Sequence, residues 1–261
     1  MQVSAHITSN VEAISGIHLM WIEAPDIALI AQPGQFIAVN CEGFALRRPF
    51  SIHQAKQSQI ALLFKVVGKG TFWLSQQQSG DKIDILGPLG EGFTIVPSAK
   101  NLLLVAGGIG IAPLVFLAQY ASSQHSICLV HGASTATELY SPREIFLHSQ
   151  EGIKFIPITE DGTSGEKGMI TDILPDFLDW ADQVFACGPV NMYKAMANMS
   201  LPAEQSNVKI KKCQISLEVR LGCGIGACYG CTINTKKGLR KVCRDGPVFE
   251  LDDILWQDVT I

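Results

Sequence analysis

The chain has no excess of positive charge and little charge of either sign. Charged residues make up 17% of its 261 residues, and the formal net charge is −4. A protein that binds nucleic acid through the phosphate backbone concentrates Lys and Arg on one surface instead. We therefore expect neither DNA nor RNA as a partner.

An uninterrupted apolar run long enough to cross a membrane is also missing. The most apolar stretch, residues 102–118, is broken by Gly107, Gly108, Gly110 and Pro113. These breaks favour a strand, a turn and a helix over one spanning helix. The first residues lack the basic segment and apolar core of a signal peptide, so we expect no membrane partner.

Short apolar or alternating runs occupy the first third of the chain. Gly and Pro residues separate them, which is typical of strands joined by tight turns. The predicted strands are 27–30, 35–39, 60–67 and 82–86. Several such strands indicate a closed antiparallel β-barrel, and we predict it over residues 1–97.

A different pattern begins near Pro97. Continuous apolar runs, typical of parallel strands buried on both faces, alternate with helical segments. The predicted strands are 101–106, 126–131, 153–159 and 183–186, and the predicted helices are 114–120, 143–148, 171–178 and 190–199. This order indicates a doubly wound α/β domain over residues 98–205. The chain is thus predicted to be an α+β multidomain protein whose residues 206–261 form a small C-terminal module.

Four of the eight cysteines lie close together near the C-terminus. Cys223, Cys228 and Cys231 follow the spacing C-x4-C-x2-C, and Cys243 comes twelve positions after the third. This is the plant-type ferredoxin spacing for a [2Fe–2S] cluster, in which each iron needs two thiolates. A zinc knuckle and two disulfides stay open as alternatives, although zinc sites favour two C-x2-C pairs and only one is present.

The other four cysteines are Cys41, Cys128, Cys187 and Cys213. Cys128 and Cys213 fall in strand-like segments and are most simply buried small residues. Cysteines used in this way indicate a reducing compartment. We therefore expect a cytoplasmic location.

Glycine-containing turns follow two of the predicted parallel strands. One is residues 107–113 (GGIGIAP), and the other is residues 187–189 (CGP). Glycines let a diphosphate approach the backbone at a helix N-terminus, and strand ends on one side of an open sheet line a single crevice. The first turn departs from G-x-G-x-x-G at Pro113, so an ordinary strand-to-helix turn stays open.

Two arginines in the barrel could meet a phosphate. Arg47 and Arg48 precede Pro49, Phe50 and Ser51. An Arg can clamp a phosphate through two hydrogen bonds, and the Ser hydroxyl can bond a ring heteroatom. A solvated surface pair is the alternative. Residues 63–71 end a strand in a turn that could hold a second phosphate or form a hairpin.

In order and spacing these motifs resemble the ferredoxin-NADP reductase superfamily. The segment 222–231 (GCGIGACYGC), followed by 242–249 (VCRDGPVF), resembles one branch of it, the electron-transfer subunits of type B dihydroorotate dehydrogenase. The resemblance covers nearly the whole chain, and the cysteine module is its most specific part.

The resemblance implies the cofactors FAD, a [2Fe–2S] cluster and NAD, and a set of residues that bind them. The implied FAD residues are Arg48 on the diphosphate, Pro49, Phe50, Ser51 near the isoalloxazine ring, Leu63, Phe64 and Lys65 beside the flavin, and Gly70 and Thr71 around the phosphates. The implied NAD residues are Gly107, Gly108, Gly110, Pro113, Cys187, Gly188 and Pro189. The implied cluster ligands are Cys223, Cys228, Cys231 and Cys243. No catalytic acid or base is implied, and Glu218 and Arg220 are given a surface or docking role.

The function that this resemblance implies is that of an NAD-dependent flavin and iron–sulfur oxidoreductase subunit in pyrimidine biosynthesis. Electrons would pass between NAD(H), FAD and the cluster, to or from the FMN of a separate dihydroorotate dehydrogenase catalytic subunit in a hetero-oligomer. Two alternatives stay open: the reductase subunit of a cytoplasmic hydrogenase or ferredoxin-dependent transhydrogenase, and a cluster protein that senses redox state without turnover. The transhydrogenase branch is expected to carry Asp in place of one cluster cysteine, and all four are Cys here.

The residues after the second α/β strand predict a preference for NADH over NADPH. An NADP site places Arg or Lys just beyond that strand to meet the 2′-phosphate. Here residues 131–138 read HGASTATE, and the next cation is Arg143. We expect a higher kcat/KM for NADH than for NADPH in steady-state dye reduction. The reverse order would contradict this assignment.

Overall fold

Residues 1–141, 153–199, 210 and 212–259 are described by the computed structural model of the chain. Its first six strands close into a barrel. They are β1 (Gln2–Ile14), β2 (Ile17–Glu23), β3 (Phe36–Asn40), β4 (Arg48–Lys56), β5 (Gln59–Lys65) and β6 (Lys82–Leu89). The strands pair antiparallel in the order β1-β2-β5-β4-β3-β6 and then close. The predicted antiparallel barrel is confirmed.

Apolar side chains fill the barrel interior. Ile52, Leu62 and Ile85 are fully buried there in one hydrophobic cluster. Closure pairs every strand on both sides, so the barrel has no unpaired edge. The barrel is therefore a rigid support for the segment that begins β4.

The predicted strand at 27–30 is wrong, because these residues lie in a helix. Helix α1 spans Pro25–Ile30, and Pro25 in its first turn loses no helical hydrogen bond. Ile27 is fully buried, whereas Leu29 is 84% exposed. Four apolar residues do not distinguish a strand from a helix by periodicity alone. The turn at Gly68 likewise opens a helix, α2 (Lys69–Ser75), and not a hairpin.

The remaining strands form a seven-stranded sheet and a separate hairpin. They are β7 (Asn101–Gly107), β8 (Ser126–Ala133), β9 (Ile153–Thr159), β10 (Glu166–Lys167), β11 (Gln183–Cys187), β12 (Cys213–Ser216), β13 (Thr232–Thr235), β14 (Gly238–Lys241) and β15 (Val248–Glu250). The sheet order is β10-β9-β8-β7-β11-β12-β15, and β13 pairs with β14. All neighbours in the sheet are parallel except β12 and β15. The predicted parallel α/β sheet is confirmed.

Most of the remaining helices follow strands of this sheet, and the last follows the hairpin. They are α3 (Ile111–Ala121), α4 (Ile170–Ile173), α5 (Pro175–Leu178), α6 (Val190–Met199) and α7 (Val242–Asp245). The predicted helix at 171–178 is two short helices, since Pro175 lacks the N–H that would continue α4. The predicted helix at 143–148 lies outside the described residues. None of the helices in the described ranges is long and apolar enough to cross a membrane.

The C-terminal segment is built into the sheet. Strand β12 lies parallel to β11, and β15 lies antiparallel beside β12. Cys231 and Cys243 share one hydrophobic core with Val184 and Ile215 of the sheet. The segment thus gains from the sheet the core that it is too short to form alone.

A close contact at Gly90 joins the barrel to the C-terminal segment. Gly90 has a φ of +75°, in the left-handed region that favours glycine. A Cβ at this position would lie 2.5 Å from the Gly246 oxygen and 2.6 Å from Pro247 Cδ. The N–H of Glu91 donates to the Gly246 oxygen over 2.6 Å, and the N–H of Leu217 donates to the Pro247 oxygen over 2.8 Å.

We expect Gly90→Ala to weaken this contact. The matched control is Gly16→Ala, because Gly16 has a φ of +71° and nothing lies within 4 Å of its added Cβ. Both variants share the cost of a left-handed Ala, but only Gly90→Ala adds overpacking, which costs about 1–3 kcal/mol. Urea unfolding of the two holoproteins measures the difference. Equal losses of stability would contradict the tight contact.

Candidate functional site

An open cleft of about 770 Å³ lies where the barrel, the sheet and the C-terminal segment meet. Arg48 and Pro49 line it from the barrel, and Gly188 and Pro189 line it from the turn after β11. The other lining residues are Leu46, Arg47, Val190, Asn191, Tyr193, Glu218, Val219, Arg220 and Leu221. The structure therefore brings predicted flavin and nucleotide segments to one cleft, together with the residues that precede the first cluster cysteine.

The two adjacent arginines have different environments. Arg47 Nη2 lies 2.6 Å from Asp84 Oδ2, and Arg47 Nη1 donates to the Asp84 carbonyl over 3.1 Å. Arg48 Nη1 donates to the Leu46 carbonyl over 2.7 Å, and its Cζ lies 5.2 Å from the centroid of the Phe44 ring. Among the described residues no carboxylate pairs with Arg48. Arg47 is thus engaged in the structure of the barrel, and Arg48 is the cation suited to a phosphate.

Gly70 lies directly against Arg48. A Cβ on Gly70 would lie 3.0 Å from Arg48 Nε, so a side chain there would press on the guanidinium. Thr71 Oγ1 accepts the N–H groups of Val67 and Gly68 over 2.9 and 3.1 Å and closes the first turn of α2. The two segments predicted to bind phosphates are therefore neighbours, and this arrangement fits the diphosphate of FAD.

The other residues predicted to contact the flavin have different surroundings. Phe50 and Phe64 meet edge to face in the barrel core, with ring centroids 5.5 Å apart. Leu63 is buried in a second cluster, between the barrel and the sheet. Lys65 Nζ lies 3.1 Å from Glu138 Oε1, beyond β8, and Ser51 is half-buried on β4. Three of these five side chains are packed into protein cores. The flavin contacts of all five therefore stay predictions.

The two glycine-containing turns touch each other. A Cβ on Gly107 would lie 2.7 Å from Pro189 Cδ, and one on Gly110 would overlap the Cys187 carbonyl. Gly108 instead has a φ of +53° and open space beside its Cα. No described side chain caps the N-terminus of α3, whose first turn includes the buried Pro113. Of the first N–H groups of α3, that of Ile111 donates to the Gly108 carbonyl in the preceding turn, and Pro113 has none. Contact of this turn with a dinucleotide diphosphate therefore stays a prediction.

A buried histidine and a buried tyrosine hold these turns in place. His131 Nε2 lies 3.0 Å from the Gly108 carbonyl. Burial lowers the pKa of His131 to about 4, so the neutral ring donates this bond. The Tyr193 hydroxyl accepts the Gly188 N–H over 2.8 Å and donates to the Ser216 carbonyl over 2.7 Å. Neither residue was predicted, and the only available signal for Tyr193 was its place on the helix that follows Pro189.

Cys187 is a thiol at neutral pH. Burial raises its pKa to about 12, and the nearby Glu218 carboxylate adds to the rise. A thiol with so high a pKa is a poor nucleophile. The residue is therefore suited to packing against a ligand and not to covalent chemistry.

The four cysteines of the motif lie together in two pairs. Cys231 Sγ and Cys243 Sγ are 3.3 Å apart, and the Cys228 N–H donates to Cys223 Sγ over 3.3 Å. A [2Fe–2S] cluster requires two thiolates for each iron, and the two pairs supply four sulfurs. The donor set therefore fits the cluster.

The cysteines of the two pairs differ in acidity. The N–H groups of Cys228, Ile225 and Ala227 lower the pKa of Cys223 to about 6, even though partial desolvation opposes them. Burial raises the pKa of Cys243 to about 12, and the adjacent Cys231 adds to the rise. Only the thiolate is a ligand, and a bound metal deprotonates a coordinating thiol outright. Cys243 thus depends on iron for its charge.

The cysteine loop rests on the barrel beside the flavin segment. A Cβ on Gly224 would lie 3.9 Å from both Ala38 Cβ and Leu89 Cδ1. Ala38 pairs across β3 and β4 with Pro49. One strand therefore separates the cysteine loop from the residues predicted to bind FAD.

Two family models match the chain. The oxidoreductase NAD-binding domain matches residues 104–198, and the iron–sulfur cluster binding domain of dihydroorotate dehydrogenase B matches residues 218–255. With the barrel in front of them, these regions define the class: an FAD-, NAD- and [2Fe–2S]-containing oxidoreductase with the ferredoxin reductase fold.

Curated relatives identify the family within this class. The dihydroorotate dehydrogenase B (NAD(+)) electron transfer subunit of Caldanaerobacter subterraneus subsp. tengcongensis is 37% identical over 98% of this chain and 99% of the relative. That of Clostridium acetobutylicum is 36% identical over 97% and 96%. The chain belongs to the family of dihydroorotate dehydrogenase B electron transfer subunits.

Solved structures agree with the fold. A structure of NADH-dependent reduced ferredoxin-NADP oxidoreductase, described in a study of electron bifurcation, has a TM-score of 0.83 at 28% identity over 98% of this chain and 91% of that chain. A ferredoxin NADP+ reductase from Neisseria gonorrhoeae with bound FAD and NADP has a TM-score of 0.66 at 17% identity over 83% and 99%.

We expect Arg48→Met to affect mainly FAD binding and Arg47→Met to affect mainly the stability of the fold. Loss of the Arg48 guanidinium removes a charge-assisted bond to phosphate and should weaken FAD binding by about 1.5–3 kcal/mol. Loss of Arg47 leaves Asp84 without its cation, with the Gln2 amide as its remaining donor, and should lower the unfolding free energy more than FAD affinity. Flavin fluorescence titration and urea unfolding measure the two effects. Tighter FAD retention in Arg48→Met than in Arg47→Met would refute the assignment.

Proposed function

We propose that this chain carries electrons between NAD(H) and the FMN of a dihydroorotate dehydrogenase catalytic subunit, through FAD and a [2Fe–2S] cluster. One observation carries the proposal. The nucleotide turn at Gly188, the flavin segment and the segment before the cluster cysteines line a single cleft, and the cysteine loop packs one strand from Pro49. Short separations of this kind are what a chain of redox groups requires.

The protein's own residues bind and orient these groups. When bound, FAD exchanges a hydride with NAD(H) and single electrons with the cluster. Arg48 would neutralise the flavin diphosphate, and the N–H groups that follow Gly107 would hold that of NAD. Tyr193 fixes the turn at Gly188, and the protonated Cys187 packs beside it without contributing charge.

The surface over the cysteine loop is a candidate contact for the catalytic subunit. Ile225 is 56% exposed and Tyr229 is 73% exposed, on the same loop as three of the cluster cysteines. Lys241 adds positive charge there, with its Nζ 4.1 Å from the Tyr229 ring centroid, and Arg220 lines the cleft just before the loop. The relatives' name, electron transfer subunit of dihydroorotate dehydrogenase B, supports a hetero-oligomer with that enzyme's catalytic subunit.

Three further assignments are part of this proposal. The residues that the sequence predicted as FAD, NAD and cluster ligands bind those groups in this proposal. The proposed domains are residues 1–97, 98–205 and 206–261. A cytoplasmic location is supported by the eight cysteines, none of which forms a disulfide.

A second candidate function is the reductase subunit of a ferredoxin-dependent transhydrogenase. The TM-score of 0.83 with the NADH-dependent reduced ferredoxin-NADP oxidoreductase favours it. The four cysteines of the motif oppose it, because that branch is expected to carry Asp at one position. Identity of 37% to the dihydroorotate dehydrogenase subunit also exceeds the 28% to the oxidoreductase.

The purified chain should contain two irons, two labile sulfides and one FAD, and should reduce dyes with NADH but not oxidise dihydroorotate. Mixing with the FMN-containing catalytic subunit from the same organism should create NAD-linked dihydroorotate oxidation. Stoichiometric zinc without labile sulfide would exclude the cluster.

The double variant Ile225→Asp, Tyr229→Asp is the matched test of the contact surface. It should weaken assembly with the catalytic subunit and leave NADH-dependent dye reduction nearly unchanged, because unpaired charge in an interface core is costly. Complex formation with a transhydrogenase or hydrogenase subunit instead would overturn the dihydroorotate assignment.

A further inference from the structure

The side chain of Lys241 connects the two segments that carry the cluster cysteines. Its Nζ donates to the Gly226 carbonyl over 2.7 Å. Gly226 lies in the loop between Cys223 and Cys228, whereas Lys241 precedes Cys243 by two positions. The ammonium group is therefore held at the edge of the cysteine loop.

The Tyr229 ring holds the same ammonium group from another side. Lys241 Nζ lies 4.1 Å from the ring centroid, within the range of a cation–π interaction. The side chain of Lys241 is half-buried. Two partners on the cysteine loop thus fix the position of one positive charge.

The peptide groups of this loop contact the sulfurs. The Gly226 N–H donates to Cys243 Sγ over 3.1 Å, and the Ala227 N–H is one of those that bond Cys223. The Ala227 N–H shares its peptide group with the Gly226 carbonyl that Lys241 contacts. A cation on the carbonyl polarises that group and strengthens its N–H as a donor.

No described carboxylate forms an ion pair with Lys241. Asp245 Oδ2 accepts the backbone N–H of Lys241 over 2.8 Å, not the ammonium. By contrast, Lys237 Nζ lies 2.6 Å from Asp253 Oδ2. Residues 218–246 contain six Lys or Arg and two Asp or Glu, so the surroundings of the cysteine loop are positive.

We propose that Lys241 raises the reduction potential of the [2Fe–2S] cluster by holding a positive charge on the cysteine loop. This inference rests on the proposed cluster ligation. Net charge and hydrogen bonds to the sulfurs set such potentials, and the form that has gained one electron is more negative by one charge. Lys241 exchanges no electron or proton. It favours the reduced form through its charge and through the polarised Gly226–Ala227 peptide group.

The test compares three variants of the full-length holoprotein. Lys241→Met removes the charge, Lys241→Arg keeps it, and Lys236→Met removes an equal charge at the far end of the same hairpin. Thr232 pairs with Lys241 at the base of that hairpin, and Thr235 pairs with Gly238 beside Lys236. Iron, labile sulfide and FAD contents are measured first. A redox titration followed by the EPR signal of the reduced cluster then gives each potential.

Lys241→Met should favour the reduced cluster about tenfold less than the wild type, a potential lower by about 59 mV for one electron. Lys241→Arg and Lys236→Met should each stay within about twofold of the wild type. An unchanged potential in Lys241→Met, or equal shifts in Lys241→Met and Lys236→Met, would overturn the proposal.

A failure to assemble the cluster is also decisive. If Lys241→Met holds no cluster, Lys241→Gln takes its place in the titration, with the same expected shift. Loss of the cluster from both variants but not from Lys241→Arg would show that Lys241 only holds the loop, and would overturn the role in the potential. Wild-type protein without iron and labile sulfide would instead refute the proposed cluster site.

Discussion

One backbone hydrogen bond, from Glu91 to Gly246, holds the C-terminal segment against the barrel, and a second, from Leu217 to Pro247, joins two parts of that segment beside the contact. The segment on either side of this contact adds β12 and β15 to the sheet. Its cysteine loop is thereby pressed onto Ala38, next to the flavin segment. The close approach of the three cofactor regions depends on this contact, because the segment is too short to fold independently.

The polar groups around the cleft bind and orient more than they transfer protons. Burial keeps His131 neutral and Cys187 protonated near pH 7. Arg48 is a permanent cation, and backbone N–H groups line the two glycine-containing turns. Such a site holds anionic cofactors in a fixed geometry, while the chemistry belongs to the cofactors. This agrees with a family of electron transfer subunits.

Local sequence patterns predicted the larger part of the fold correctly. They predicted another part wrongly. The continuous apolar run at β7 and the spacing of strands and helices after it gave the parallel sheet. Strands β1 and β2 were not predicted, because their half-buried residues mix polar and apolar types. The run at 27–30 was mistaken for a strand. Over four residues, a buried Ile and its apolar neighbours fit the period of a strand as well as that of a helix.

The sequence by itself determined the chemistry of the cluster site, because three of the ligands lie within one nine-residue loop and their spacing is a local property. It could not distinguish Arg47 from Arg48. Only the tertiary structure decided that, by bringing Asp84, 37 residues away, onto Arg47. It likewise placed Lys241 on Gly226, 15 residues away, and Tyr193 on Ser216, 23 residues away. Residues so far apart meet because barrel closure and sheet pairing join distant segments, and these long-range contacts leave no local periodic pattern in the sequence.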